Sequence, residues 1–240
     1  MPKAIAIETS GRVGSIALAD QGRVLTECQF PHGLKHAAEI IPLIDRLCRA
    51  QEWTPRDIEE LYVSAGPGSF TGLRIGITLA KTLAFANGVK LVAVPSVRVL
   101  VENAPAEAQQ VIIVLDAKRD QIFTARFERS SEGWLEREAA HLDSLTAMLA
   151  RSPRLVYLLG EGIPYHRKFV PEGDSSIVVT AEEFWRARAG AVAELGMGMA
   201  KRGEFADPYK LTPIYIRLPE AEEKRLAAEA KEREQGQAAT

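Results

Sequence analysis

Long apolar runs are missing from this sequence of 240 residues, and neither sign of charge is in clear excess. No apolar run reaches the roughly 18 residues that a membrane-spanning helix needs. The first strand-like stretch, residues 3–9, is too short for the apolar region of a secretory signal. The formal net charge of −2 provides no basic field of the kind that an independent RNA-binding protein uses. We therefore expect a soluble cytoplasmic protein without a membrane partner.

Cysteine and histidine are also scarce, which argues against disulfide and metal sites. The two cysteines, Cys28 and Cys48, lack the paired spacing of a zinc knuckle or a disulfide framework. Two of the four histidines, His32 and His36, stand four residues apart. However, the Pro-His-Gly sequence around His32 disfavours a continuous helix, and the residue after His32 is not glutamate. The sequence therefore predicts no metal site.

Hydrophobic residues make up 46% of the chain and follow strand and helix periods in two successive halves. In the first half we predict strands at residues 3–9, 13–19, 23–30, 61–65 and 91–94, and helices at 36–50 and 72–86. In the second half we predict strands at residues 111–116, 121–128, 134–140, 155–159 and 177–179, and helices at 142–150, near Tyr165 and at 182–202. Each half thus begins with a three-strand meander that helices and further strands continue.

This repeated order predicts an α/β protein built from two ribonuclease-H-like domains, the arrangement of the actin-like and sugar kinase (ASKHA) superfamily. The boundary is expected in the polar, proline-containing residues 102–110, which gives domains at 1–103 and 104–218. Residues 219–240 are rich in Ala, Glu, Lys and Arg and contain almost no large apolar side chain. We predict that this charged tail is disordered.

A glycine-rich turn follows the predicted strand at 61–65. Gly66 and Gly68 allow a sharp turn of the backbone, and Ser69 or Thr71 is placed to cap the helix that begins near Gly72. A helix start of this kind can bind an anion. However, no Lys-Ser or Lys-Thr pair follows the glycines, and the spacing is not that of a dinucleotide-binding turn. The sequence therefore favours a capped strand-to-helix turn over a phosphate-binding loop.

Small residues recur every fourth position in the next helix. Gly72, Gly76, Ala80 and Ala84 form a ridge along one side, and a glycine inside a helix costs up to about 1 kcal/mol relative to alanine. Close approach of another helix would offset that cost, and the remaining surface is largely apolar. Either the domain itself or a second chain covers this helix. The candidate contact residues for a second chain are His36, Ile40, Ile44, Leu73, Gly76, Ile77, Ala80, Leu83 and Ala84.

The sequence GPGSFTGLRIG, followed by AKTLA, resembles the signature of the bacterial TsaB family. Further matches are IAIETS at 5–10, HAAEIIPL at 36–43, DAKRDQIF at 116–123, GEG at 160–162 and PIYIRLPEA at 213–221. The resemblance implies an actin-like fold. It also implies a heterodimer with TsaD, which transfers a threonylcarbamoyl group to the tRNA adenosine next to the anticodon. We further expect the ATPase TsaE as a partner, a homodimer when the chain is alone, and tRNA contact only through the complex.

The resemblance implies a non-catalytic role as well. TsaD carries two metal-binding histidines, four residues apart, shortly after the helix that follows the glycine-rich turn. Here the corresponding residues 92–100 read VAVPSVRVL and contain no histidine. Because transfer by TsaD depends on that metal site, we do not expect the same chemistry from this chain. No cofactor is then required, although ATP or ADP is a candidate ligand at the interface of the complex.

An enzymatic alternative rests on the first turn of each half. Glu8, Thr9, Ser10 and Asp116 are the candidate nucleotide-binding residues, because actin-like proteins place acidic and hydroxyl groups at these points. Members of the family usually have aspartate at the position of Glu8, and polar residues that fix a β-turn are the simpler interpretation. A kinase-like ATP-using enzyme or a peptidase therefore stays an alternative to the partner subunit. A direct tRNA-binding module is the third and least supported hypothesis.

Overall fold

The computed structural model describes residues 2–30 and 36–217, with the side chain of His36 excepted. The predictions on His32, on the tail at 219–240 and on the side chain of His36 lie outside these described residues. Of the helices in the two described ranges, none combines the length and the apolar character that a membrane crossing requires.

A five-stranded sheet forms the first half. Its strands are β1 (Ala4–Glu8), β2 (Ser15–Asp20), β3 (Arg23–Gln29), β4 (Glu60–Gly66) and β5 (Lys90–Pro95), in the order β3-β2-β1-β4-β5. The first three pair antiparallel, whereas β1–β4 and β4–β5 pair parallel. The helices of this half are α1 (His36–Ala50), α2 (Phe70–Asn87) and α3 (Ser96–Val101), with a 3-10 helix at Pro55–Asp57. This is the predicted meander with parallel additions.

A second sheet repeats the pattern. Its strands are β6 (Gln110–Ile113), β7 (Leu115–Asp116), β8 (Ile122–Ser130), β9 (Gly133–Asp143), β10 (Val156–Leu159) and β11 (Ile177–Val179). The order is β11-β10-β6-β8-β7, and β9 pairs with β8. The helices are α4 (Leu145–Arg151), α5 (Ile163–His166) and α6 (Ala189–Lys201), with 3-10 helices at Arg167–Phe169 and Glu182–Phe184. The predicted duplication, two α/β halves that each combine an antiparallel meander with parallel strands, is thereby confirmed.

Both faces of the first sheet are covered, which explains the continuous burial of its central strands. All residues of β1 and β4 are buried. Helix α2 covers one face, where Ile77 and Ala80 join the core with β1 and β4. Helix α6 covers the other face so closely that a Cβ on Gly196 would lie 2.4 Å from the ring of Tyr62. Helix α6 belongs to the second half of the sequence, so the two halves share a core, and the boundary near residue 103 stays a prediction.

Two predicted helices have different limits in the structure. The helix predicted at 182–202 is interrupted, because Arg188 is extended and α6 begins only at Ala189, whose N–H donates to Ser15 Oγ at 2.8 Å. The helix predicted at 142–150 begins at Leu145. Residues 142–143 pair with β8 instead, and Ser144 caps α4 by accepting a hydrogen bond from Ala147 N at 3.2 Å. The short helix α3 was not predicted.

Candidate functional site

A cleft of about 430 Å³ separates the two halves of the molecule. Its walls come from four segments: the turn between β1 and β2, the glycine-rich turn with the start of α2, the hairpin of β7 and β8, and the loop and first turn of α5. The lining residues are Ser10, Gly11, Arg12, Gly68, Ser69, Phe70, Leu115, Asp116, Lys118, Phe123, Glu161, Gly162 and Tyr165. Two of the four candidate nucleotide-binding residues, Ser10 and Asp116, thus face one cavity.

The glycine-rich turn packs directly on the turn after β1. Ser69 N donates to the carbonyl oxygen of Ser10 at 2.7 Å, and a Cβ on Gly68 would lie 2.5 Å from that same oxygen. A Cβ on Gly72 would lie only 1.9 Å from the carbonyl oxygen of Thr9. Ser69 is the helix cap, because its Oγ accepts a hydrogen bond from Gly72 N at 3.2 Å, whereas Thr71 is exposed. The turn holds the floor of the cleft in place.

The other two candidate residues lie behind the cleft. Glu8 is fully buried, accepting hydrogen bonds from Ser10 N at 2.5 Å and from the hydroxyl of Ser64. Burial raises the pKa of Glu8, although these hydrogen bonds act in the opposite direction. Thr9 is also fully buried, and its hydroxyl abuts Gly76. Glu8 and Thr9 therefore shape the turn and do not line the cavity.

The raised pKa of Glu8 leads to a stability prediction. Above the ordinary carboxyl pKa of 4.5, the folded protein keeps Glu8 protonated, whereas the unfolded chain loses this proton. The free energy of unfolding should therefore fall as the pH rises from about 4.5 through the higher pKa of the folded state. Replacing Glu8 with Gln removes the titration and keeps the shape, so the variant should gain stability over the native chain at neutral pH and lose that part of the pH dependence. Urea unfolding between pH 4 and pH 8 measures both effects. Equal pH profiles for the two proteins would contradict the assignment.

Asp116 is already engaged by three nitrogen atoms from two residues, Lys118 and His166. Its carboxylate accepts from Lys118 N at 3.1 Å, pairs with Lys118 Nζ at 2.9 Å, and lies 3.1 Å from Nε2 of the buried His166. Burial acts to raise the pKa of Asp116, but the hydrogen bonds from Lys118 and His166 outweigh it and lower the pKa below its usual value. The carboxylate is therefore ionised and held in one orientation.

These contacts bear on which charged groups the cleft could hold. Magnesium ions prefer carboxylate oxygens that are free to coordinate, and Glu8 is buried while Asp116 is bound to Lys118. The cations Arg12 and Lys118 instead line the cavity, as does the start of α2. This donor set fits a phosphate group better than a hydrated magnesium ion.

The two halves are tied together across the cleft by residues that the sequence did not single out. Arg12 N donates to Glu161 Oε2 at 2.9 Å, and Arg12 Nη1 donates to the hydroxyl of Tyr165 at 2.8 Å. The partners are 149 and 153 positions apart, so local patterns carry no sign of them. The available signal was the GEG match, because Glu161 is its central residue.

The candidate contact residues on α1 and α2 require a correction. Six of the nine are buried within the chain itself: Ile40, Leu73, Gly76, Ile77, Ala80 and Ala84. The small-residue ridge faces β1 and not a helix of another chain, since Gly72 and Gly76 both abut Thr9. The close neighbour is the backbone carbonyl oxygen of Thr9 at Gly72 and the Thr9 hydroxyl at Gly76, so neither position leaves room for a side chain. Glycine in this helix is explained by the chain's own sheet.

An apolar groove remains between α1 and α2. Ile44 and Leu83, two of the predicted contact residues, are half-buried and line a cavity of about 180 Å³. Ile41 lines the same groove and is 53% exposed. Ile41 is not among the predicted contact residues, although it directly follows Ile40, which is. This α1–α2 groove is the part of the predicted surface that the fold leaves open.

Comparison with known proteins agrees with this architecture. The family model described as TsaD, tRNA N6-adenosine threonylcarbamoyltransferase, matches residues 33–181. The solved structure of YeaZ from Pseudomonas aeruginosa is similar to this chain with a TM-score of 0.78 and 22% identity, covering 90% of this chain and 100% of that one. At this level of identity, the likeness shows the fold.

Two curated relatives are named tRNA threonylcarbamoyladenosine biosynthesis protein TsaB. The protein of Bacillus subtilis (strain 168) is 32% identical over 226 residues, which cover 92% of this chain and 96% of the relative. The protein of Escherichia coli (strain K12) is 29% identical over 132 residues, which cover 54% of this chain and 56% of the relative. The chain therefore belongs to the TsaB family, whose named members take part in the biosynthesis of threonylcarbamoyladenosine in tRNA.

Proposed function

We propose that this chain is the non-catalytic partner subunit of TsaD and supports the transfer of the threonylcarbamoyl group to the tRNA adenosine next to the anticodon. The proposal rests on the α1–α2 groove. This apolar groove includes Ile41, whose side chain is 53% exposed, and the chain belongs to the TsaB family. An exposed apolar surface next to a groove is typical of a site where another protein docks.

A related pair of helices is the occupant that we propose for the groove. The TsaD family model matches residues 33–181, which include both α1 and α2, so TsaD has counterparts of the two helices. Two such pairs can pack against each other with their apolar sides facing. The same reasoning supports a homodimer in the absence of TsaD, because identical pairs can meet across a two-fold axis.

The absence of a catalytic role is supported by the residues that stand where TsaD carries its histidines. Residues 92–100 form the end of β5 and most of α3, and Val92, Val97 and Leu100 are buried in the apolar core. Of the two acidic residues that line the cleft, Asp116 is bound to Lys118 and His166, and Glu161 accepts a hydrogen bond from Arg12 N. These contacts support a non-catalytic role.

We also propose the other components of the complex. This subunit requires no cofactor, and ATP or ADP binds at the interface of the complex. The ATPase TsaE joins the assembly, and tRNA binds through the complex. The chain does not act as a kinase or a peptidase in this account.

Depletion of the chain from its own cells tests the proposed function. Threonylcarbamoyladenosine in bulk tRNA should fall on depletion and recover when the native chain is supplied. The variant Asp116→Asn should restore it equally well, because the account gives this carboxylate no chemical step. Affinity purification of the chain should also recover TsaD. Unchanged modification after depletion would contradict the proposal.

A further inference from the structure

Two cations contact an exposed tyrosine at the mouth of the cleft. Tyr165 is 51% exposed, its hydroxyl accepts from Arg12 at 2.8 Å, and Lys118 Nζ lies 5.6 Å from the centre of its ring. Arg167 and Lys168 follow Tyr165 by two and three positions and line a second cavity, and all four basic residues are exposed. We call these five residues the Tyr165 surface. Its composition contrasts with the net charge of −2 of the whole chain.

The backbone that presents Lys118 is strained. Lys118, Arg119 and Asp120 have φ values of 63°, 54° and 55°, so three successive residues with side chains adopt the left-handed conformation. Such residues usually occur singly, because each costs free energy. Strain of this kind persists only where the surroundings enforce it, and it is concentrated at sites that bind ligands.

Contacts from distant segments hold this turn. Lys168 Nζ pairs with Asp120 Oδ1 at 2.9 Å, and Arg217 Nη1 donates to the carbonyl oxygen of Ala117 at 2.6 Å. Asp116 accepts from Lys118 N on the inner side. The turn is part of the DAKRDQIF match, which neither the fold nor the proposed partner contact explains. These contacts hold Lys118 beside Tyr165.

Carboxylates within the same region offset part of the positive charge. Asp116 pairs with Lys118, and Asp120 pairs with Lys168. Glu161 is the third; burial raises its pKa, whereas the hydrogen bond from Arg12 N acts in the opposite direction. The guanidinium of Arg12 donates to a hydroxyl, and that of Arg167 is exposed. The excess of cations is therefore carried by the two arginines.

We propose that the Tyr165 surface binds an unpaired segment of the RNA substrate, with one base on Tyr165 and neighbouring phosphates on Arg12, Lys118, Arg167 and Lys168. Aromatic rings among cations are what single-stranded nucleic acid recognises, because bases stack on the ring and phosphates pair with the charges. An acidic peptide would use the cations but not the exposed ring. The inference rests on the proposed role in tRNA modification and adds the surface through which this subunit contacts RNA.

Fluorescence anisotropy with labelled unmodified tRNA tests the surface in the complex with TsaD. Tyr165→Ala should weaken binding about tenfold, because the stacking platform is lost. Tyr165→Phe should bind like the native chain, since the ring remains. The matched control is Tyr209→Ala, which removes a tyrosine that is 81% exposed outside this surface and should leave the affinity unchanged.

Salt dependence provides the second readout. Arg167→Gln should reduce the steepness of log affinity against log salt by about 0.7 to 0.9, as expected for one lost phosphate contact. Lys201→Gln, an exposed cation at the end of α6, should leave the slope unchanged. Native affinity in both Tyr165→Ala and Arg167→Gln would overturn the proposal. So would displacement by an acidic peptide with no effect of Tyr165→Ala.

A separate measurement distinguishes this inference from the proposed function. Co-purification of each variant with TsaD should be unchanged, because none of the residues of the Tyr165 surface lines the α1–α2 groove. Photocrosslinking of thiouridine-containing tRNA to Tyr165, in the complex and in the chain alone, reports RNA contact whether or not TsaD binds. Failure to bind TsaD would contradict the proposed function, whereas the absence of any crosslink at Tyr165 in both samples would overturn the RNA surface.

Discussion

Replacing Gly72 with alanine is expected to lower the free energy of unfolding by about 3 kcal/mol, at the upper end for overpacking. The added Cβ would lie 1.9 Å from the carbonyl oxygen of Thr9, a distance that no rotamer change can relieve because both atoms are fixed by the backbone. Helix α2 or the turn after β1 must move, and either movement disturbs the floor of the cleft. Denaturant unfolding followed by circular dichroism measures the loss.

A second glycine within a helix supplies the matched control. At Gly198 in α6 the nearest neighbour of an added Cβ is Arg202 Nη1 at 3.6 Å, which is ordinary contact. Gly198→Ala should therefore raise the free energy of unfolding by about 0.5 to 1 kcal/mol, because alanine favours a helix more than glycine does. If both substitutions stabilised the protein equally, the close packing of Gly72 on Thr9 would be wrong.

These two substitutions also clarify what the small-residue ridge does. A Cβ on Gly76 would lie 2.3 Å from the hydroxyl oxygen of Thr9, and Ala80 is fully buried. Larger residues along the ridge would disturb folding before they could affect a partner. Substitutions that test partner binding must therefore be made at exposed positions of α1 and α2.

Much of the fold could be predicted because its elements have strong local signals. Helix α1 spans His36–Ala50 as predicted, and β11 spans Ile177–Val179 as predicted. The interruption before α6 could not be predicted, because the N–H of Ala189 donates to Ser15, a residue 174 positions away. Periodicity also cannot tell whether a helix packs on a sheet or on another helix, and the small-residue ridge was wrongly assigned for this reason.

The candidate site was predictable only in part. Ser10 and Asp116 were expected to belong together because each follows the first strand of its half, and both line the cleft. Glu8 precedes Ser10 by two positions, but burial and the hydrogen bond from Ser64 turn it away from the cavity. Arg12 and Tyr165 meet through the tertiary fold alone. A single sequence holds no pattern that predicts such a contact.

Replacing Ile41 with glutamate is expected to weaken association with TsaD at least about thirtyfold. Ile41 is 53% exposed beside the α1–α2 groove, so a charge there would be buried in the proposed interface without a partner. The isolated chain should keep its stability, because the same side chain is largely in water. The homodimer that we propose for the isolated chain should weaken as well.

Leu135→Glu is the matched control for this substitution. Leu135 lies on β9 of the second sheet and is 44% exposed, so the change in polarity and the starting exposure are similar. Because β9 belongs to the second sheet, whereas α1 and α2 pack on the first, this variant should bind TsaD like the native chain. A loss of binding that is equal in both variants would indicate a general effect of added negative charge.

Isothermal titration calorimetry of the purified chain into purified TsaD tests the proposed docking most directly. We predict a saturable complex with one copy of each chain at the interface, formed equally by the native chain and Leu135→Glu and weakened at least about thirtyfold by Ile41→Glu. No complex with the native chain, or an unchanged dissociation constant for Ile41→Glu, would contradict the proposal that this subunit acts by docking its α1–α2 groove on TsaD.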